Sequence, residues 1–283
     1  MKNKFLLLSF LFLSVVIQIR CGGKKTVEIN LEPEVPVHYE YRIPQDYNPA
    51  EPPPLVIALH GHNQSETQAL SIWDDGIYFE PDFILLSIRA PFQAKDGYAW
   101  VVESDTSLKG AHQRRKASAL VCERRIFDVL DEFKKKYKFE EELIYLIGFS
   151  QGAMMALHVG LKNPDVFAGI SAESGGYDTL LLPVNALKDI GAMDIYLAAG
   201  REERLTEDMR NDEAILTNAG ARVMLYIHQG GHIITVGSCR RMQNFLELSL
   251  EKAPEYDTLN LPSENYDTNE EENLEDESDY QEE

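Results

Sequence analysis

The five residues from Gly148 to Gly152 read Gly-Phe-Ser-Gln-Gly, the G-x-S-x-G pattern that surrounds a nucleophilic serine in many acyl-transfer sites. They lie between an apolar run, Leu143–Ile147, that predicts a buried strand and a run of small and apolar residues, Gln151–Lys162, that predicts a helix. A sharp strand-to-helix turn strains the serine and exposes its hydroxyl, and flanking glycines leave room for the turn. The pattern therefore predicts Ser150 as a nucleophile, with an ordinary glycine-rich turn as the alternative.

A nucleophilic serine needs a base, and in strand–turn–helix sites of this kind the chain order is serine, acid, histidine. His232 follows a predicted strand, Val223–Ile227, in a Gly-Gly-His loop from which an imidazole can reach the serine. His158 lies on the predicted helix after the serine, and His228 lies at the end of a strand. His232 is therefore the predicted base, and a structural loop histidine is the alternative.

The acid is expected after a strand between the serine and the histidine. The predicted strand Ile195–Ala199 is followed by Gly-Arg-Glu-Glu, which places Glu203 three residues after a glycine. Glu203 is the predicted acid. The alternative is that it belongs to a solvated cluster with the nearby acidic residues Glu202, Glu207 and Asp208.

The segment His60-Gly61-His62-Asn63 follows the first strongly apolar strand, Leu55–Leu59. A turn at this point can aim a backbone N–H at the oxyanion that forms when a serine attacks a carbonyl, and the N–H of the residue after the serine can be the second donor. His60, at the end of the strand and before the serine in the chain, is interpreted as a side chain that braces the turn.

Strands alternate with helices through the middle of the chain, which predicts an α/β fold with a mostly parallel sheet covered by helices on both faces. Val37–Ile43 is alternating and aromatic, as expected of an outer, half-exposed strand. Tyr177–Asp194 is the only segment that could form a small lid. The remaining predicted strands are Phe83–Ile88 and Phe167–Ala172, and the remaining predicted helices are 111–137, Thr206–Ala219 and Ser238–Leu250.

The two ends of the 283-residue chain differ in composition from the middle. Residues 1–21 have a basic start and a fifteen-residue run, Phe5–Ile19, that is mostly apolar; they predict a signal peptide and therefore an exported protein. Cys21 follows this run, so the protein is either a lipoprotein tethered to a membrane through Cys21, a secreted or periplasmic protein, or one held by an uncleaved signal anchor. Residues 26–250 are the predicted folded domain.

Residues 251–283 contain fourteen acidic side chains and one basic one, with no apolar periodicity. They predict a disordered acidic tail that either increases solubility or binds a partner. The formal net charge of −20 argues against binding to nucleic acid, whose affinity comes mostly from lysine and arginine on phosphates. The two cysteines after Cys21 lie in predicted helices and are expected to be buried, and no Cys or His cluster predicts a metal site.

The motifs together resemble the phospholipase/carboxylesterase family of α/β-hydrolases. The resemblance runs from about residue 41 to residue 250 and is most specific at the Gly-Phe-Ser-Gln-Gly segment; its other parts are Leu59-His60-Gly61, Tyr98-Ala99-Trp100, Gly200-x-x-Glu203 and Gly231-His232. It implies an eight-stranded sheet, little or no lid, no cofactor and no metal. The family usually has aspartate where Glu203 stands in this chain.

The resemblance also implies the reaction and the roles of the residues. Carboxylic esters or thioesters of small molecules would be the substrates, with Ser150 as nucleophile, Glu203 as acid and His232 as base. The backbone N–H groups of His62 and Gln151 would form the oxyanion hole. Two other functions remain open from the sequence: a catalytically inert binding protein on the hydrolase fold, and a serine peptidase on the same fold.

Overall fold

The computed structural model of the protein describes residues 29–71, 82–102, 108–187, 190–191 and 193–250. The predicted signal peptide with Cys21, and the predicted acidic tail, both lie outside these residues. None of the helices in the described ranges is long and apolar enough to cross a membrane.

Within the described ranges, seven strands form the central sheet and two short strands form a separate antiparallel ribbon. The strands are β1 (Tyr39–Arg42), β2 (Leu55–Leu59), β3 (Ile84–Ile88), β4 (Phe92–Gln93), β5 (Tyr98–Ala99), β6 (Ile144–Phe149), β7 (Gly169–Glu173), β8 (Asp194–Gly200) and β9 (Arg222–His228). The order across the sheet is β1-β3-β2-β6-β7-β8-β9, and β4 pairs with β5. Only β1 runs antiparallel to its neighbour in the sheet, so the carboxyl ends of the other six strands meet at one edge.

Five α-helices cover the two faces of the sheet in the described part of the chain. They are α1 (Glu66–Ser71), α2 (Leu108–Lys134), α3 (Gln151–Lys162), α4 (Thr206–Asn218) and α5 (Val236–Leu250). Side chains of α2, α3 and α4 pack with one face of the strands in a large apolar cluster. Those of α1 and α5 pack with the other face in a smaller cluster. The predicted α/β fold with helices on both faces is therefore confirmed.

The elements agree with the sequence pattern, with small shifts at their ends. Strands β2, β3, β7 and β8 are buried along their whole length, as expected of parallel strands covered on both faces. Helix α5 begins two residues earlier than predicted because Thr235 and Ser238 cap it reciprocally, each side-chain oxygen accepting the other's backbone N–H at 2.9–3.0 Å. The predicted lid segment contains a single described helical turn, Val184–Ala186.

The sheet differs from the eight strands that the family resemblance implies, because the described residues supply seven. The segment before β1 contains Pro33 and Pro36, which lack the N–H groups that a strand ladder needs. The backbone N–H groups of Glu34 and Val35 instead both donate to the carbonyl of Pro91. This segment therefore crosses the sheet edge as a loop, and β1 is the outermost strand.

Candidate active site

Ser150 occupies the turn between β6 and α3 with a positive φ of 56° and a ψ of −118°, a backbone conformation that L residues rarely adopt. Its backbone N–H donates to the carbonyl of Glu173 at the end of β7, at 2.9 Å, which holds the turn against the neighbouring strand. Glycine is required on both sides. A Cβ on Gly148 would lie 2.4 Å from the backbone of Gly152, and a Cβ on Gly152 would lie 2.0 Å from the carbonyl oxygen of Leu59. The strain predicted for this serine is present.

A chain of hydrogen bonds connects Ser150 to His232 and Glu203. The Oγ of Ser150 lies 2.9 Å from Nε2 of His232, and Nδ1 of His232 lies 2.8 Å from Oε2 of Glu203. A carboxylate at Nδ1 keeps the proton of a neutral imidazole on that nitrogen and leaves Nε2 free to accept the proton of Ser150. The ring of Phe149 packs against the imidazole at 5.0 Å between ring centres. The structure thus brings together the three side chains that the sequence proposed, in the geometry of a serine–histidine–acid triad.

Glu203 is held more firmly than its place in an acidic segment suggests. Its side chain is 3% exposed, and its Oε1 accepts hydrogen bonds from the Ser174 hydroxyl at 2.6 Å and from the Gly200 N–H at 2.8 Å. Burial raises the pKa of the Glu203 carboxyl, but the hydrogen bonds from Ser174, His232 and Gly200 outweigh burial and hold this pKa below its ordinary value. The side chain folds back onto the turn that begins at Gly200, which accommodates the extra methylene relative to aspartate.

Ser174→Ala is expected to lower kcat/KM roughly ten- to hundredfold, the equivalent of one hydrogen bond to a charged group. The pKa of Glu203 would rise when this donor is removed. Because Glu203 has to be ionised, the part of the activity that depends on its carboxylate would be lost at a higher pH in the variant as the pH falls. The measurement is kcat/KM as a function of pH for both proteins. A variant with the wild-type kcat/KM at every pH would show that Ser174 does not support the acid.

The loop after β2 that carries His62 is fixed against the turn at Ser150. Asn63 (φ 64°) donates its backbone N–H to the Tyr98 carbonyl at 2.9 Å, and Gly61 donates its N–H to the side chain of Gln64 at 2.8 Å. A Cβ on Gly61 would meet the ring of Phe149 at 2.9 Å, so the loop packs directly on the residue before the serine. In the described structure, neither the His62 N–H nor the Gln151 N–H is bonded to a backbone carbonyl. Both are available as oxyanion donors.

His60 braces this loop as a neutral side chain. Burial lowers the pKa of the His60 imidazole to about 4. Its Nδ1–H donates to the Gly61 carbonyl at 2.7 Å, and its Nε2 accepts the Ala90 N–H at 3.1 Å. The backbone carbonyl of His60 accepts the indole N–H of Trp100 at 2.8 Å. His60 is therefore bonded on both ring nitrogens and is not available as a base.

A cleft of about 460 Å³ opens beside Ser150. Its wall consists of residues from the start of α3, the segment after β7 and helix α4, together with Arg115 of α2. Arg115 pairs with Asp178 at 3.0 Å, and Asp212 accepts the Tyr177 N–H at 2.7 Å. The lining residues are Arg115, Ser150, Gln151, Met154, Ser174, Gly175, Gly176, Tyr177, Asp178, Thr179, Leu180, Leu205, Asp208, Asn211 and Asp212. A small molecule in this cleft would contact both polar and apolar side chains.

Ser174 was not identified from the sequence, and neither was the supporting role of the Gln151 side chain, which adds to the N–H donor predicted for that residue. Ser174 comes directly after the carboxyl end of β7, a position where polar residues often belong to a site, and this signal was available in the sequence. The side chain of Gln151 accepts the Trp100 N–H at 3.1 Å and so joins the loop after β5 to the nucleophile turn. Among the described residues, no group of three Cys, His, Asp or Glu side chains could hold a metal ion.

The sequence and the fold are similar to those of known esterases and hydrolases. A sequence model of the family described as "Putative esterase" matches residues 32–233, which include all three residues of the hydrogen-bonded chain. "Putative hydrolase MhqD" of Bacillus subtilis (strain 168) is 23% identical over 185 residues, covering 64% of this chain and 86% of that protein.

Two solved structures share the fold at low sequence identity. The carboxylesterase of Bacillus cereus superposes with a TM-score of 0.62 at 17% identity, over 76% of this chain and 96% of its own. Esterase PE8 superposes with a TM-score of 0.61 at 23% identity, over 75% of this chain and 99% of its own.

Proposed function

We propose that this chain, which belongs to the esterase family, cleaves its substrate through an acyl-enzyme on Ser150. The chain has the α/β-hydrolase fold, and the activity of the family is the hydrolysis of carboxylic esters. The observation that carries the proposal is the continuous hydrogen-bonded chain from Ser150 through His232 to Glu203. The substrates are small-molecule esters, with thioesters included because the same acylation applies to them.

In the first half of the reaction, Ser150 attacks the ester carbonyl carbon while its proton passes to Nε2 of His232. The carbonyl oxygen becomes an oxyanion, which the N–H groups of His62 and Gln151 stabilise. His232 then gives its proton to the leaving alcohol, the bond between the carbonyl carbon and the alcohol oxygen breaks, and the acyl group remains on Ser150. Glu203 stabilises the imidazolium that exists between these two proton transfers.

In the second half, water attacks the acyl carbon and its proton passes to His232. The tetrahedral oxyanion forms in the same hole, the bond to the Ser150 oxygen breaks, and that oxygen recovers its proton from His232. The products are a carboxylic acid and free enzyme. Nε2 of His232 accepts and returns each proton. It can do so because the other ring proton stays on Nδ1, in its hydrogen bond to Glu203.

The proposal is tested with nitrophenyl esters of increasing acyl length and with a fluorophosphonate, which labels an activated serine. We expect a burst of nitrophenol equal to the enzyme concentration, followed by slower turnover, and labelling at Ser150 alone. Rates should rise with acyl length until the cleft beside Ser150 is filled and then fall. Nitrophenyl ester turnover without any burst or labelling would argue against the acyl-enzyme.

These reagents, together with nitroanilide amides, distinguish the proposed esterase from the two other functions that the sequence left open. A binding protein on this fold would neither react with the fluorophosphonate nor release nitrophenol. A peptidase would cleave nitroanilide amides at rates comparable with the esters of the same acyl group. We expect labelling and ester turnover with little amide turnover.

A further inference from the structure

A second carboxylate–imidazole pair lies beneath the first and has no part in the mechanism above. Glu173, the last residue of β7, and His228, the last residue of β9, are 3% and 2% exposed. Nε2 of His228 is 3.4 Å from Oε1 of Glu173, an ion-pair distance. Among the described residues, neither oxygen of Glu173 has a closer hydrogen-bond partner. Each group therefore offsets part of the cost of burying the other.

The pair spans a strand, because β8 lies between β7 and β9 in the sheet. Glu173 is in register with Ala198, and His228 is in register with Gly200, on the face that α5 covers. The strand in between therefore has nothing larger than a methyl group at these two positions. This allows a side chain of β7 to meet a side chain of β9.

The backbones of these two residues lead directly into the triad. The carbonyl of Glu173 accepts the Ser150 N–H, and the next residue is Ser174, which donates to Glu203. The carbonyl of His228 accepts the N–H of Arg201 at 2.8 Å, in the turn that carries Glu203.

His228 also directly precedes the loop that carries His232. That loop runs from Gln229 to the capped start of α5 at Thr235, and His232 lies four residues beyond His228. The pair is a direct side-chain contact between the end of β7 and the end of β9.

The charges of the pair favour its contact. Burial lowers the pKa of His228, but Glu173 and the Gln229 carbonyl outweigh burial and raise it above its ordinary value. Burial raises the pKa of the Glu173 carboxyl, and His228 together with the Ser238 side chain offsets this only in part. A cavity of about 30 Å³, large enough for one water, is lined by Glu173 and by the neutral His60.

The neighbouring elements contribute few other charges to the pair. Glu203 adds a negative charge from the turn after β8. Tyr196 of β8 and Cys239 of α5 are neutral, because burial raises the pKa of Tyr196 far above its ordinary value and that of Cys239 to about 12. Arg241 of α5 lies over the ring of Tyr226, 4.3 Å from its centre, and Tyr226 packs beside His228.

We propose that Glu173 and His228 are positioning residues whose buried ion pair holds the loop of the base in register with the nucleophile turn. This inference rests on the proposed function of Ser150, His232 and Glu203. The pair touches no reacting atom and acts through the backbone that follows each of its members. It also adds an ionisation to the pH dependence of kcat that is separate from that of the triad.

The test compares Glu173→Gln, His228→Asn and the double variant with the wild type. Each single change is expected to lower kcat roughly ten- to hundredfold, as misplacement of a reacting group by about 1 Å does, while KM stays within about twofold. The double variant should lose no more than the worse single one, since the two side chains act as a unit. The double variant should lack one ionisation that the wild type shows in its profile of kcat against pH. In each single variant that ionisation should shift, because the remaining group titrates without its partner.

Asp194→Asn is the matched control. Asp194 is a buried carboxylate paired with Arg222 at 2.6 Å, at the opposite end of β8. Its loss should lower the urea concentration at the unfolding midpoint without changing the shape of the kcat profile. A change of shape in this control as large as in Glu173→Gln would mean that lost stability explains the effect, and the proposal would be wrong.

A single variant that leaves one charge buried alone is prone to unfold, so the double replacement Glu173→Met with His228→Leu completes the test. Removing both charges is expected to preserve folding, yet kcat should fall and the second ionisation should vanish. A folded apolar double variant with the wild-type kcat and pH profile would overturn the positioning role. Failure of the proposed function would appear differently, as a wild type without burst or labelling.

Discussion

Ser150→Ala is expected to lower kcat for ester hydrolysis by about 10⁴-fold or more while the protein stays folded. The change removes the only protein atom that bonds to the acyl carbon in the proposed mechanism. Binding in the cleft and the two backbone N–H donors remain, and these support a small residual rate. The measurement is the rate of nitrophenyl ester hydrolysis together with the urea midpoint of unfolding.

Ser171→Ala is the matched control for this change. Ser171 is a buried serine of β7 whose hydroxyl has no hydrogen-bond partner among the described residues. Ser171→Ala should keep nearly full activity and should react with the fluorophosphonate to the same extent as the wild type. Near-normal turnover by Ser150→Ala would show that another residue is the nucleophile.

Glu203→Gln is expected to lower kcat by about 10⁴-fold, or about 5.4 kcal/mol of transition-state stabilisation, comparable with the change from aspartate to asparagine in a triad. The structure supplies the reason. Ser174 and Gly200 both donate to Oε1, so the amide oxygen of glutamine would take that position. The NH₂ group would then face Nδ1 of His232 and donate to it. The imidazole proton would move to Nε2, which could no longer accept the proton of Ser150.

Glu202→Gln is the control, because Glu202 is the exposed neighbour of Glu203 in the same turn. A screened surface charge contributes little, so this variant should stay within about threefold of the wild type. Steady-state kinetics at neutral pH measures both variants. If Glu202→Gln were the more damaging change, a different carboxylate would have to support His232.

Much of the fold followed from the sequence because its signals are local. Buried strands such as β2 are short apolar runs, and the end of α4 is marked by Gly220, which has φ 101°. The nucleophile turn is equally local, since its glycines are required by contacts within a few residues and with the end of β2. The number of strands was harder to predict from the sequence. The family resemblance implies the usual sheet of eight strands, whereas the segment with Pro33 and Pro36 forms a loop in this chain.

The sequence limits the proposed catalytic acid to one short segment, but local pattern alone does not show which acidic residue of that segment it is. Several acidic residues follow β8, and what distinguishes Glu203 is the turn in which its N–H donates to the Gly200 carbonyl at 3.0 Å. That turn is fixed in part by contacts with β9, which lies far along the chain. The pairing of Glu173 with His228 was inaccessible for the same reason, since it depends on the order of three strands and on small side chains in the middle one.

The order of the strands also determines when the site can be assembled during synthesis. Ser150 precedes His232 by 82 residues, so at about 5–20 residues per second the nucleophile leaves the ribosome roughly 4 to 16 s before the base. The turn with Glu203 gains its contacts to the His228 and Gly230 carbonyls only when β9 has paired with β8. The turn that carries Glu203 and the loop that carries His232 can therefore take up their places only after β9 has been synthesised. Until then Ser150 lacks both the base and the acid that the proposed mechanism requires.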